Sequence, residues 1–182
     1  MNEQYRITVG GNWVKHVAES VPEHSLDIKT NLEKVIDETV LSVIDTHALA
    51  YVSALASGNG GLAFEIEHNG PLFEHPVVRE AAKGAVSLVT MNTIYYSVVE
   101  MTKEVDLKTL SPGLAMTAYN NYGGVTKKQF EMYALATAII GKCPHCVKTH
   151  WDMCKREGMT LIELQHIMKI ASVVGAIGKI AI

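Results

Sequence analysis

Residues 141–150 read GKCPHCVKTH. Cys143 and Cys146 stand three apart, with a proline and His145 between them, and His150 follows the second cysteine by four positions. Thiols at this spacing can anchor a haem, clamp a metal, cycle between dithiol and disulfide, or be incidental. Covalent haem attachment needs a histidine directly after the second cysteine, and that position is Val147. A zinc site would have to draw on Cys143, Cys146, His150 and Cys154. Along a helix the first and last of these lie roughly 16 Å apart, against zinc bonds of about 2 Å. Four such ligands cannot close on one ion, and three would need another from elsewhere, such as His166 or Glu131.

Redox chemistry fits the spacing better. Cysteines at i and i+3 of a helix start fall within the Cα separation of about 4.4–6.8 Å that a disulfide spans. Unpaired N–H groups at the helix start favour thiolate. His150, at i+4 from Cys146, shares its face and leans back toward it, where a general base belongs. Lys142 and Lys148 add positive potential. The bland alternative is two incidental cysteines with a surface or core histidine. Glu131, in FEMYALATAII, needs a partner if buried; otherwise it occupies a solvated first turn. Cys154 reads as a small apolar filler, and His166 as structural.

The elements that must hold these residues are helices. Strand-like alternation is rare, while helical spacing recurs. Leu26, Ile28, Leu32, Val35 and Ile36 form a stripe over residues 25–36, and the apolar pattern continues over 38–56. SGNGG at 57–61 and HNGP at 68–71 break the chain. Residues 76–103 read as one long helix with Pro76 in its first turn. LSPG at 110–113 and NNYGG at 120–124 are turns, leaving LAMTAY room for only a short helix. Thr126 with Gln129, and Thr160 with Glu163, read as capping boxes. The first opens a helix ending near Gly141. Pro144 places Cys143 at the N-cap of the next, over 144–157. The second opens a last helix with Leu164, Ile167, Met168, Ala171 and Val174 on one stripe. Gly175 and Gly178 there permit close helix approach. The fold class is all-α, with residues 5–9 a short strand or a tail.

Glu80 precedes Asn92 by twelve residues, as Glu131 precedes Cys143, a faint echo of two related halves. It predicts a helix break near Asn92 like the one at Cys143.

Composition narrows the function. The chain has 182 residues, 48% apolar and 19% charged, with a formal net charge of -3; this suits one soluble domain with a substantial core. Scattered basic residues leave no footprint for nucleic acid or an anionic membrane. No apolar run reaches the roughly 18 residues of a membrane span. The first twenty residues lack an apolar signal-type segment, so the expectation is a cytoplasmic protein. There three cysteines are not a disulfide framework.

Glu131, eleven residues, then CPHCVKTH is similar to the E-x11-C-x-x-C-x3-H pattern of the alkylhydroperoxidase D family, within the carboxymuconolactone decarboxylase superfamily. VPEHSLDIKTNL, AAKGAVSLVTMNTIYY and LSPGLAMTAY resemble family stretches in the same order, so the likeness covers most of residues 20–178. The resemblance implies an all-helical subunit of two halves, about 21–110 and 111–182, with the active site in the second and residues 1–20 an extension. Asn92 and Tyr95 would then stand where Cys143 and Cys146 stand. It implies a trimer. It assigns the sulfenic-acid role to Cys146 and the disulfide-partner role to Cys143, whereas the N-cap position alone favours Cys143 as the more acidic thiol. His150 and Glu131 match the relay that activates the thiols, and His145 a histidine often found between the cysteines. No bound cofactor is implied. The reductant would be dihydrolipoamide, the lipoyl group of a lipoylated acyltransferase subunit, with electrons passing to a peroxiredoxin or directly to a hydroperoxide. Two other functions stand beside this: a thiol redox sensor or adaptor without turnover, and a non-redox, decarboxylase-like enzyme.

Overall fold

The computed structural model describes residues 12–180; the strand-or-tail at 5–9 lies outside them. Within this range the chain is all-α. Its helices are α1 (Trp13–Ser20), α2 (Leu26–Asp37), α3 (Val43–Ala56), α4 (Gly60–His68), α5 (Pro76–Thr102), α6 (Lys127–Gly141), α7 (Pro144–Arg156) and α8 (Leu161–Ile177). A strap with three short 3-10 turns joins α5 to α6.

The centre is α6. Every residue from Phe130 to Ala138 is buried, because α3, α5, α7 and α8 all pack on it. A helix covered on all sides loses its amphipathic stripe, which is why FEMYALATAII reads as nearly all apolar. Helix α3 is the second such element, buried from Thr46 to Ala54. Both helices carry buried alanines, at 48, 50 and 54 on α3 and at 134, 136 and 138 on α6; Ala134 and Ala138 pack with Val89 of α5 and the two cysteines.

Both capping boxes form as expected. The N–H of Gln129 donates to Thr126 Oγ1, while Gln129 Oε1 accepts from the Thr126 N–H. Thr160 and Glu163 repeat the pattern at α8.

Three expectations change. Residues 38–56 are not one continuous helical stretch: α2 ends at Asp37, and α3 starts anew after Ser42, which accepts from the Asp45 N–H. The expected short helix in LAMTAY is a single 3-10 turn at Thr117–Asn120. No break occurs near Asn92, since α5 continues to Thr102, and Glu80 is exposed and paired with Lys83. Gly175 and Gly178 do permit close approach, and within the chain: an added Cβ would lie 2.5 Å from Ile140 Cδ1 and 2.1 Å from Ser57 Oγ.

Residues 13–20 are no appendage. Trp13 and Val17 are buried in the main core and Ala18 is buried too, with the Trp13 ring edge-on to His47 at 6.0 Å. Among the described residues, no helix is long and apolar enough to cross a membrane.

Candidate active site

The geometry starts with the junction of α6 and α7. Lys142 takes a left-handed conformation, φ 54°, that stops α6. Cys143 is then extended, φ -89° and ψ 108°, and Pro144 opens α7. This makes Cys143 the N-cap: its Sγ accepts the Cys146 N–H at 3.3 Å. Both thiols are reduced and buried.

Their settings differ. Cys146 borders a cavity of about 320 Å³, whereas Cys143 lies behind it, fully buried. Helix α7 also supplies His145, Thr149, His150 and Met153 to this cavity, and α6 supplies Glu131. The facing wall comes from elements far away in sequence: Asn92 and Tyr96 of α5, and Met116, Tyr119 and Tyr122 of the strap. Lys127 at the mouth is tied to Glu157 at 2.8 Å.

Glu131 is buried, not in a solvated turn, and its partner is His150: Nδ1 and Oε2 are 2.8 Å apart. With Nδ1–H donating to the carboxylate, Nε2 is the ring's acceptor. A carboxylate that orients a buried imidazole beside a thiol is an arrangement for moving a proton. His145 is exposed at the mouth, with its ring 4.8 Å from that of Tyr96. Tyr119, edge-on to Phe130 at 5.5 Å, has its phenol held above the ordinary range by burial and by Glu131.

The expectation of thiolate favoured at the helix start fails for Cys146. Burial pushes this thiol up to about 12, the Cys143 thiol pushes the same way, and the Thr93 hydroxyl acts against them. Desolvation here outweighs the helix terminus, because charge in an apolar setting lacks water. Lys148 offers little help, since it is paired with Asp152. Cys154 is enclosed by the core, and burial raises it to about 12 as well. It lies apart from the cavity, in keeping with an apolar filler. His166 is also buried away from the site. Its Nδ1 lies 3.1 Å from Glu38 Oε2 without hydrogen-bond alignment.

All five residues expected from the motif (Glu131, Cys143, His145, Cys146 and His150) come together here. Asn92, Thr93, Tyr96, Met116, Tyr119 and Tyr122 were not expected as site residues. Only Asn92 carried a signal, as the counterpart of Cys143, and that signal pointed to a silent position rather than to this wall.

The chain is similar to known proteins. The family described as "Carboxymuconolactone decarboxylase family" matches residues 111–181. A protein of Streptomyces coelicolor named "Alkyl hydroperoxide reductase AhpD" is 30% identical over 159 residues, covering 87% of this chain and 89% of the relative. Proteins of the same name from Coxiella burnetii and Mycobacteroides abscessus are each 29% identical, over 90% and 91% of this chain and 94% of each relative. The chain therefore belongs to the AhpD group of the carboxymuconolactone decarboxylase family.

Proposed function

We propose that this protein is an antioxidant thiol oxidoreductase that reduces hydroperoxides through Cys146 and Cys143. The observation that carries the reading is the joint exposure of Cys146, His150 and Glu131 to one cavity, with Cys143 directly behind Cys146. The name of the relatives points the same way.

The steps balance as follows. The Cys146 proton passes to His150 Nε2, whose positive charge Glu131 stabilises. The Cys146 thiolate attacks the outer oxygen of ROOH; the S–O bond forms, the O–O bond breaks, and the departing alkoxide takes the proton from His150. Cys143 then attacks the sulfenic acid. An S–S bond forms, and hydroxide leaves with the Cys143 proton as water. A dihydrolipoyl group reduces the disulfide by thiol exchange and is itself oxidised. A lipoylated acyltransferase subunit is the proposed donor and a peroxiredoxin the proposed further acceptor. The cavity position of Cys146 supports it over Cys143 as the attacking thiol.

The protein is proposed to work as a homotrimer, with a second copy covering the exposed apolar stripe of Ile94, Val98 and Met101 on α5. Light scattering is expected to give about 60 kDa, and a mass near 20 kDa would overturn it.

Peroxide consumption with dihydrolipoamide, with and without a peroxiredoxin, tests the function. One observation favours a second reading, a redox adaptor without turnover: burial holds the Cys146 thiol above its ordinary range, which disfavours the thiolate that must attack. That reading predicts a reversible disulfide without steady consumption of peroxide.

A further inference from the structure

Thr93 lies on the face of α5 that meets the C-x-x-C helix. Val89, one turn earlier, packs against Cys143 and Cys146, and Asn92 and Tyr96 on either side border the cavity. Thr93 is 6% exposed, and its Oγ1 has no hydrogen-bond partner. A buried helical hydroxyl normally returns its hydrogen to the carbonyl four residues back. Thr137 does this to Tyr133 at 2.9 Å, and Ser53 to Leu49 at 2.7 Å. The hydroxyl of Thr93 does not, although a buried hydroxyl left unpaired is destabilising.

Gly141 explains what holds it. A Cβ on Gly141 would lie 2.6 Å from Thr93 Cγ2. The bare glycine lets α5 and α6 close up there, and the trapped methyl fixes the side-chain rotamer. The hydroxyl is left beside the Cys146 sulfur, where its effect favours the charged form although it is not aligned on the resting thiol.

We propose that the Thr93 hydroxyl is the hydrogen-bond donor to the Cys146 thiolate, a catalytic group supplied to the reacting sulfur from outside the motif. The proposal rests on Cys146 being the nucleophile of the reading above. When Cys146 ionises, its S–H bond breaks, the proton goes to His150 and the electron pair stays on sulfur. The Thr93 O–H bond stays intact and turns toward that pair. A neutral thiol is a weak acceptor, so the bond gains most of its strength on ionisation, which is the differential that lowers a barrier. Cys143, at the N-cap of α7, and Glu100 on α5 raise this thiol, and the titratable groups that share its cavity include His145 and His150 on α7, Glu131 on α6 and Tyr119 on the strap.

The test is the pH dependence of iodoacetamide alkylation at Cys146, located by fragment mass spectrometry, with melting measured alongside. Thr93→Val is expected to move the profile up by about one unit, slowing alkylation about tenfold below its midpoint, with melting unchanged or raised. Thr93→Ala is expected to shift the profile likewise, and Thr93→Ser, which keeps the hydroxyl but loses the methyl that fixes it, to shift it clearly less. A wild-type profile in Thr93→Val or Thr93→Ala would overturn the proposal, as would equal slowing in Thr93→Ser. Alkylation needs neither peroxide nor reductant, so absence of peroxide turnover in the unmodified protein would sink the functional reading while leaving this result standing.

Discussion

Glu131 on α6 and His150 on α7 are nineteen positions apart in sequence and meet at 2.8 Å, both buried. Both are largely shielded from bulk water, so each depends on the other to stabilise a charge. His150→Ala and Glu131→Gln are each expected to lower peroxide turnover roughly 10²-fold or more. They should separate in melting. His150→Ala strands a buried carboxylate, at a cost of about 3 kcal/mol, whereas the neutral amide of Glu131→Gln can still accept from Nδ1. Unchanged kinetics in both would refute the relay.

Mild peroxide treatment is expected to join Cys143 to Cys146. Trypsin releases both in residues 143–148, so the product is one peptide lighter by two hydrogens. Oxidation confined to Cys154, which is enclosed by the core, would contradict the pairing.

Acid should weaken the fold partly through His166. Burial lowers its pKa, and the carboxylate of Glu38 only partly offsets this. The unfolded chain then binds this proton more readily than the native one. Stability is therefore full above the ordinary histidine value and falls as pH drops through about 6.5 toward the lower native value. His166→Gln should lose less melting temperature between about pH 7.5 and 5.5 than the wild type; an equal loss would clear His166.

Trp13→Ala should cost about 3–5 kcal/mol, because the indole is fully buried. Urea unfolding decides it. A change within error would return residues 13–20 to the status of an extension.

Glu80→Gln should leave turnover unchanged and melting nearly so, since the Glu80–Lys83 pair is on the surface and such pairs contribute little. This departs from the loss of stability that an echo of Glu131 would suggest.

The site's own residues were legible in the sequence because the motif is local. Pro144 fixed Cys143 at a helix start, and the spacing to His150 set a common face. The capping boxes at Thr126 and Thr160 were equally plain, since each is a contact over three residues. The opposite wall was not legible. Nothing near Tyr119 or Asn92 in sequence says which cavity they border; that follows from how α5 and the strap pack on α6 and α7. The restart at Ser42 did have a local sign, the Ser42 and Asp45 pair, hidden by the apolar residues on either side of it. The burial of Cys146 was hidden because a helix start reads as acidic for a thiol until the packing around it is known.

The N-cap role of Cys143 ties electron chemistry to secondary structure. In the dithiol, its sulfur accepts the Cys146 N–H and completes the first turn of α7. Drawing that sulfur into a bond with Cys146 takes it from the amide, so the oxidised protein would carry a less well-capped helix. A cap is worth about 0.5–1 kcal/mol, and for a two-electron couple this amounts to about 10–20 mV. The helix would thus favour the reduced pair by that margin, making the disulfide a slightly stronger oxidant than an uncapped one.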